Sequence, residues 1–551
     1  MRKKIFFFSF GLFAFLLLVG FEFFQSQKDD IFFKIDKSIE IFGKIYKEVL
    51  LNYVDEVDPE KFMRAGIKGM LNQLDPYTVF IDEKHREEVD ALTTGKYGGI
   101  GVSISKIDTQ VVVVKVLKDY PADKAGLKVG DVIIQIDSIS VDDKPLEEVR
   151  TYMVGKAGTP IKLKVLREGF ENPLVFEMTR AEIEVKNIAY YNFIDDGIAY
   201  IKLERFSRNA GEELRQAIKN LQAKSEIKGL ILDLRDNPGG LLDAAVDIVE
   251  KFVPEGSLIV STRGRKPDAV RNYYSTEKPL LPDVPLCVIV NNSSASASEI
   301  VAGAIQDLDR GVILGTRTFG KGLVQTISYL SYNTFLKMTT AKYYTPSGRC
   351  IQEVDYFHKP DGVFIVKPDS EKKVFKTKNG RIVYAQGGIM PDTIIPEITR
   401  SNFTETLVKR GLFFKFANRF LAEHKTLPEN FEINNQILEQ FKKFVEKNNF
   451  TFKDSFEINL EKAIEYAKKQ RYQNGYISEV ELTLNKIKSN KIDYFQIYRD
   501  EIARELMRQI LARYKYENEL IEWELSNDVQ VKTAISILKD GKTYSSILKS
   551  K

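Results

Sequence analysis

The pattern of apolar and polar positions changes character several times along this chain. Ile5–Phe21 is nearly unbroken apolar sequence behind Arg2, Lys3 and Lys4, and Glu22 is the first acid. From Ile31 to Val89 the period becomes helical, with Ile35, Ile39, Phe42, Ile45, Tyr46 and Val49 on one face. Asp58-Pro59 predicts a helix start running into Phe62, Ile67, Met70 and Leu74, and Asp75-Pro76 predicts its end. From Gly95 short alternating runs take over. Tyr97–Ile104, Val111–Val116, Gly130–Ile136, Ile161–Leu166 and Leu174–Met178 predict strands around two helices, Pro121–Leu127, ended near Gly126, and Leu146–Val154.

Between Ala181 and Pro396 strand-like and helix-like runs alternate, which predicts an α/β layered core. Gly197–Leu203, Gly229–Arg235 and Leu286–Val290 are the apolar strands, and Gly211–Gln222 and Leu241–Val253 are helices between them. Beyond about residue 400 the chain turns rich in lysine, glutamate and asparagine. Helical spacing recurs there, clearest at Ile502, Leu506, Ile510 and Tyr514, with no fixed repeat and no chemical motif. The expected organisation is a leader or anchor over 1–24, a helical region over 31–92, a β-rich module over 95–180, an α/β core over 181–400 and a helical extension over 401–551.

Charge and cysteine content narrow the function classes. A net charge of +4 on 551 residues, with both signs interleaved, gives no footprint for nucleic acid. Cys287 and Cys350 are too few for a disulfide framework or a thiolate metal site, and Cys287 sits in an apolar run that predicts a buried, inert thiol. The N-terminus has the form of an export signal, either retained as an anchor or cleaved. Positive-inside logic then sends everything after about residue 25 across the membrane.

The candidate chemistry lies in Asn291–Gln325. The three histidines, His85, His358 and His424, form no H-E-x-x-H motif, and no G-x-S-x-G elbow is present. Gly315–Gly322 is one residue short of a phosphate-binding loop, because Gly322 stands where a hydroxyl is required and a strand rather than a helix follows. Ser225/Lys228 and Ser546/Lys549 have S-x-x-K spacing but lack its companion motifs. A serine and a lysine remain. A lysine can take a serine's proton only when neutral, which means disfavouring its ammonium by roughly 4–5 kcal/mol. Ser296 opens a predicted helix and, with Glu299, also fits a plain capping box. Ser294 and Ser298 flank it, and spacing does not choose among the three.

Ser294-Ala-Ser-Ala-Ser-Glu299, Thr318-Phe-Gly-Lys-Gly322 and Leu234-Arg-Asp-Asn-Pro-Gly-Gly240 together resemble the carboxyl-terminal processing peptidases of family S41. The module over 95–180 resembles the PDZ domain of bacterial proteases. The resemblance implies a crotonase-like peptidase core with a PDZ domain, and a serine endopeptidase that selects substrates by their C-terminal tails. It also implies Ser296 as nucleophile, Lys321 as general base and Gln325 as the residue orienting that lysine. The implied oxyanion hole uses the N–H of Ala297 and of Gly239 or Gly240, with Asp307 in a structural role. A fully extended 321–325 segment would hold Lys321 and Gln325 about 13 Å apart, so the chain must turn near Gly322.

In the PDZ module the implied peptide adds as a strand beside Ile100–Ser105, with its carboxylate held by N–H groups at Gly98, Gly99, Ile100 and Gly101. Many relatives carry an arginine where this chain has Val154, which puts that coupling of PDZ to activity in doubt. No cofactor or metal is implied. The expected setting is the periplasmic side of an inner membrane, as a homo-oligomer, most simply a dimer through the Ile31–Val89 helices. The competing expectation is a non-catalytic PDZ scaffold on a degenerate peptidase core; a crotonase-type acyl enzyme is a third.

Overall fold

The structure is a computed structural model describing residues 31–83, 95–265, 269–356, 371–489 and 492–549. The expected leader, the stretch 84–92 and both His85 and His358 lie outside these residues. No helix among the described residues is long and apolar enough to cross a membrane. The chain divides into two units, one formed by the described residues up to Phe80 with Leu336–Met338, the other by the remainder.

In the N-terminal unit, residues 31–52 are helical and Pro59–Leu71 forms a second helix. Asp58 caps it by accepting the Lys61 N–H, with proline at the first position. The two helices meet where the Tyr46 ring stacks on Phe62 at 5.7 Å and its hydroxyl donates to Pro59 O at 2.8 Å. Ile35, Ile39, Phe42 and Ile45 stay exposed, and no residue of Pro59–Leu71 is buried. Helical character stops short of the expected Val89: Val79–Ile81 is a strand, as its β-branched and aromatic residues favour.

The larger unit holds the PDZ module, the α/β core and the helical extension. The module's sheet runs Val102–Ile107, Gln110–Val116, Val132–Ile136, Pro160–Leu166, Leu174–Thr179, all antiparallel. Val102–Ile107 is therefore an edge strand. Pro121–Ala125 ends at Gly126, whose φ of 86° supplies the left-handed cap the sequence called for.

In the α/β core the sheet order is Ile188–Asp195, Ile198–Leu203, Gly229–Asp233, Leu286–Val290, Val312–Gly315, Thr393–Ile394. The first pair is antiparallel and the rest are parallel. Helices Ala210–Lys224, Leu242–Glu250 and Ala297–Asp307 cover one face, here the near face, packing on Leu230, Leu232, Val288 and Val290. The far face, with Tyr200, Ile231, Cys287, Ile289 and Leu314, is covered by Ile521, Leu525, Val531, Ala534 and Ile537 of the last helices. The extension is thus two things. Helices between 402 and 514 build an aromatic core around Phe403, Phe413, Phe416 and Phe441, and Glu517–Ser526 and Val529–Lys539 complete the peptidase sheet. It also touches the PDZ module, where Lys415 pairs with Asp108 at 2.6 Å and Asn418 Nδ2 donates to Gly130 O at 3.1 Å.

Candidate active site

The parallel strand Leu286–Val290 leaves the sheet through a small-residue turn and enters the helix Ala297–Asp307 at Ser296. The three candidate serines separate here. Ser294 is fully buried, donates to Leu234 O at 2.8 Å and accepts the Asn291 N–H at 2.9 Å. Ser298 is also fully buried and donates to Asn237 O at 2.9 Å. Both hydroxyls hold turns together. Ser296 is partly exposed and has φ 56° and ψ −112°, a conformation an L-residue adopts at a cost of about 1–3 kcal/mol. Such strain persists only where the surroundings enforce it, which marks a functional turn.

What enforces it is Glu299. This carboxylate is fully buried and accepts from the Ser296 N–H at 2.8 Å, the Thr318 hydroxyl at 2.6 Å, the Gly320 N–H at 2.7 Å and the Lys321 N–H at 2.9 Å. Burial pushes its carboxyl up to about 6, against the four hydrogen bonds that hold it down. The sequence presented Glu299 as half of a capping box; its larger part is to join the Ser296 turn to the Lys321 segment. The near-miss phosphate loop does meet an anion, and that anion is Glu299. Two further bonds lock the joint: the Phe319 N–H donates to Ser294 O at 3.0 Å and the Tyr343 hydroxyl to Ser296 O at 3.1 Å.

Lys321 is partly buried and precedes the strand Leu323–Tyr329, on which Gln325 lies. Leu323, Val324 and Gln325 lie within that strand, and Gly322 joins it to Lys321. Gly322 donates to Gln352 Oε1 at 2.7 Å and accepts from the Tyr343 N–H at 3.0 Å, which tie the start of the strand to its neighbours. Gln325 Nε2 donates to Thr339 Oγ1 at 3.2 Å.

The segment after strand Gly229–Asp233 closes over the same helix start. Asn237, fully buried, donates to Leu203 O at 2.8 Å and accepts from Ala295 N–H on its own carbonyl at 3.1 Å. A Cβ at Gly239 would fall 2.6 Å from Ala295 O and 2.8 Å from Ala297 N, and one at Gly240 2.4 Å from Phe206 O. Only glycine fits either position. The two N–H groups differ, however. That of Gly239 already donates to Asn237 Oδ1 at 2.9 Å, whereas those of Gly240 and Ala297 have no acceptor among the described residues. Of the two glycines the resemblance offered, Gly240 is the one whose N–H has no acceptor among the described residues.

Comparison with known proteins adds to this geometry. The family model described as Peptidase family S41 matches residues 197–363, and models for a PDZ domain, the N-terminal domain of the activating protease CtpB and the C-terminal helical domain of a probable PDZ-protease match 98–175, 23–85 and 403–538. The carboxy-terminal-processing protease of Bartonella bacilliformis is 38% identical over 377 residues, 68% of this chain and 85% of that one. The chain belongs to peptidase family S41, among the carboxy-terminal processing proteases. CtpB of Bacillus subtilis, with the same descriptive name, is 34% identical over 58% of this chain and 66% of its own length.

For a member of this family the PDZ groove is the second place to look. A cavity of about 270 Å³ lies between the edge strand Val102–Ile107 and the helix Leu146–Met153, lined by Gly99, Ile100, Gly101, Ile104 and Met153. Gly98 departs from expectation: it backs onto Gly155, whose N–H donates to Gly98 O at 3.1 Å, and does not line the groove. Asp307 forms a buried ion pair with Arg349 at 2.7 Å and accepts the Ser347 N–H at 3.0 Å. Burial pushes the Cys287 thiol up, and no His, Cys, Asp or Glu cluster among the described residues has the makings of a metal site.

Proposed function

We propose that this carboxy-terminal processing protease is an exported, membrane-associated serine endopeptidase working through a Ser296–Lys321 dyad. Ser296 Oγ attacks a peptide carbonyl carbon as neutral Lys321 takes its proton. The oxyanion of the tetrahedral intermediate is received by the N–H groups of Ala297 and Gly240, with Gly239 able to join if Asn237 swings away. Collapse breaks the C–N bond, Lys321 returns the proton to the leaving amine, and water then hydrolyses the acyl-enzyme by the same relay. Gln325 orients Lys321. The PDZ groove selects an apolar C-terminal tail that adds as a strand beside Val102–Ile107. Residues 1–24 export the chain to the periplasmic side and anchor it or are removed, and the exposed apolar face of residues 31–52 pairs two copies.

The observation that carries this reading is the contrast among three serines: two are spent on holding turns, and the third is strained, accessible and joined through Glu299 to Lys321. The full chain in detergent, incubated with an unfolded protein bearing an apolar tail, tests it. Cleavage lost in both Ser296→Ala and Lys321→Ala is expected. No cleavage by the wild type overturns the reading in favour of a PDZ scaffold, and cleavage equal to wild type by either variant overturns the dyad. Light scattering on a chain with charges at Ile39 and Phe42 tests pairing, with a fall to monomer mass expected.

A further inference from the structure

The turn that presents Gly240 is held from outside the peptidase core. Arg235, five residues before Gly240, grips Asp233 with Nε at 3.0 Å from each carboxylate oxygen. Burial alone would raise Asp233, yet Arg235 and the Tyr200 hydroxyl keep its carboxyl low, so the anchor is charged. The other edge of the guanidinium faces the extension: Nη1 donates to Asp528 Oδ2 at 2.6 Å and to Gln530 Oε1 at 3.0 Å. Asp528 meanwhile caps the helix Val529–Lys539 through its other oxygen. A cavity of about 730 Å³ opens beside this junction, walled by Lys202, Asp236, Trp523 and Asn527, so the surroundings leave the junction room to shift.

The helix that leads into Asp528 begins at the PDZ module. Glu517, its first residue, pairs with Lys115, and Lys118 lies 5.1 Å from the Tyr516 ring centroid. Lys115 stands opposite Ser103 of the peptide-binding edge strand. Along its length the helix is fixed to the sheet by buried Ile521 and Leu525 and by Tyr190 Oη, which donates to Glu522 at 3.0 Å. At about 15 Å, it reaches from the strand paired with the groove edge to the residue that holds Arg235.

We propose that the helix Glu517–Ser526 and the turn after it are positioning elements of the peptidase. Asp528 and Gln530 set Arg235 and with it the Gly240 turn, and Lys115 makes the setting of that helix depend on what occupies the PDZ edge. The proposal rests on the Gly240 turn serving the oxyanion. It also gives this chain a route between PDZ and active site that does not need an arginine at Val154. A two-ended rigid element can carry such coupling only if both sites bias its position, which is measurable.

The test uses the full chain in detergent and one peptide in two forms, with a free apolar C-terminus and with that terminus amidated. A wild type that cleaves neither ends the peptidase reading and is thereby distinct from failure of the linkage. Asp528→Asn keeps a good helix cap but loses the charge facing Arg235. It is expected to lower kcat about tenfold on both forms, with KM within twofold and the melting temperature unchanged. Glu517→Lys is expected to remove the preference for the free terminus, and Lys115→Glu in the same chain to restore it. In a Ser296→Ala background the free-tail peptide, and not the amide, should shift the emission of Trp523, the chain's one tryptophan. Wild-type kcat in Asp528→Asn, or a loss seen only in KM or only with a lowered melting temperature, overturns the positioning role. A preserved preference in Glu517→Lys, failure of the swap to rescue, or an unmoved Trp523 spectrum overturns the link to the PDZ domain.

Discussion

The two faces of the peptidase sheet are built from the same strands in opposite ways. On the near face each covering helix follows directly on one of the strands it packs against: Ala210–Lys224, Leu242–Glu250, Ala297–Asp307. On the far face the cover comes from Glu517–Ser526 and Val529–Lys539, more than 200 residues beyond the strand Val312–Gly315. The near face carries the strained serine, at the carboxyl end of a parallel strand where such sheets present their sites. The far face carries no candidate nucleophile and is as dry. The candidate site draws on segments between residues 234 and 325, whereas the cover on the far side of the sheet comes from much later in the chain.

Each prediction presses on that contrast, from the largest effect to the smallest. Ser296→Ala is expected to cut kcat by on the order of 10⁴-fold or more while leaving the melting temperature unchanged, by peptide turnover and calorimetry. Ile537→Ala, on the far face, should do the reverse in kind: a loss of about 2–5 kcal/mol of stability by denaturant titration, with little change in kcat at temperatures where the chain stays folded. If kcat falls as steeply as stability, the division of labour between the faces is wrong.

Glu299 lies between these extremes. Its folded carboxyl titrates near 6, above the usual 4.5, so its contribution to stability is present below about pH 4.5 and is lost as pH rises through 6. The loss amounts to roughly 2 kcal/mol. Activity should run the other way, because a protonated carboxyl cannot accept all four donors aimed at it. A limb near pH 6 in kcat/KM is expected, absent in Glu299→Gln, which should itself be slower by about 10–100-fold. An identical limb in that variant assigns it elsewhere. Smallest of all, Lys539→Ala removes an exposed pair with Asp195 on the far side and should cost at most about 1 kcal/mol.

Much of this was legible in the chain. Asp58-Pro59 and Gly126 announced a helix start and a helix end because capping is local. The runs Leu230-Ile231-Leu232 and Cys287-Val288-Ile289 even stated that both sheet faces are buried, since alternate residues point opposite ways and all are apolar. They could not say what buries the second face, because that partner shares no local signal with them. Glu299 hid in the same manner: a capping box accounts for its bond to Ser296, while its bonds to Thr318, Gly320 and Lys321 need the third dimension. The choice of Ser296 came from family resemblance, and the strain that singles it out exists only in the folded turn. Gly239 and Gly240 differ through a side chain two residues away, a distinction no composition encodes.

The late origin of the far-face helices also has a meaning in time. A chain made at about 5–20 residues per second reaches the end of the Ser296–Gln325 segment roughly 10–40 s before it reaches Val529. Through that interval the segments of the candidate site exist, but the sheet beneath them lacks its cover and Arg235 lacks Asp528. A protease assembled in this order stays incomplete until the residues that cover its sheet and hold Arg235 have been made.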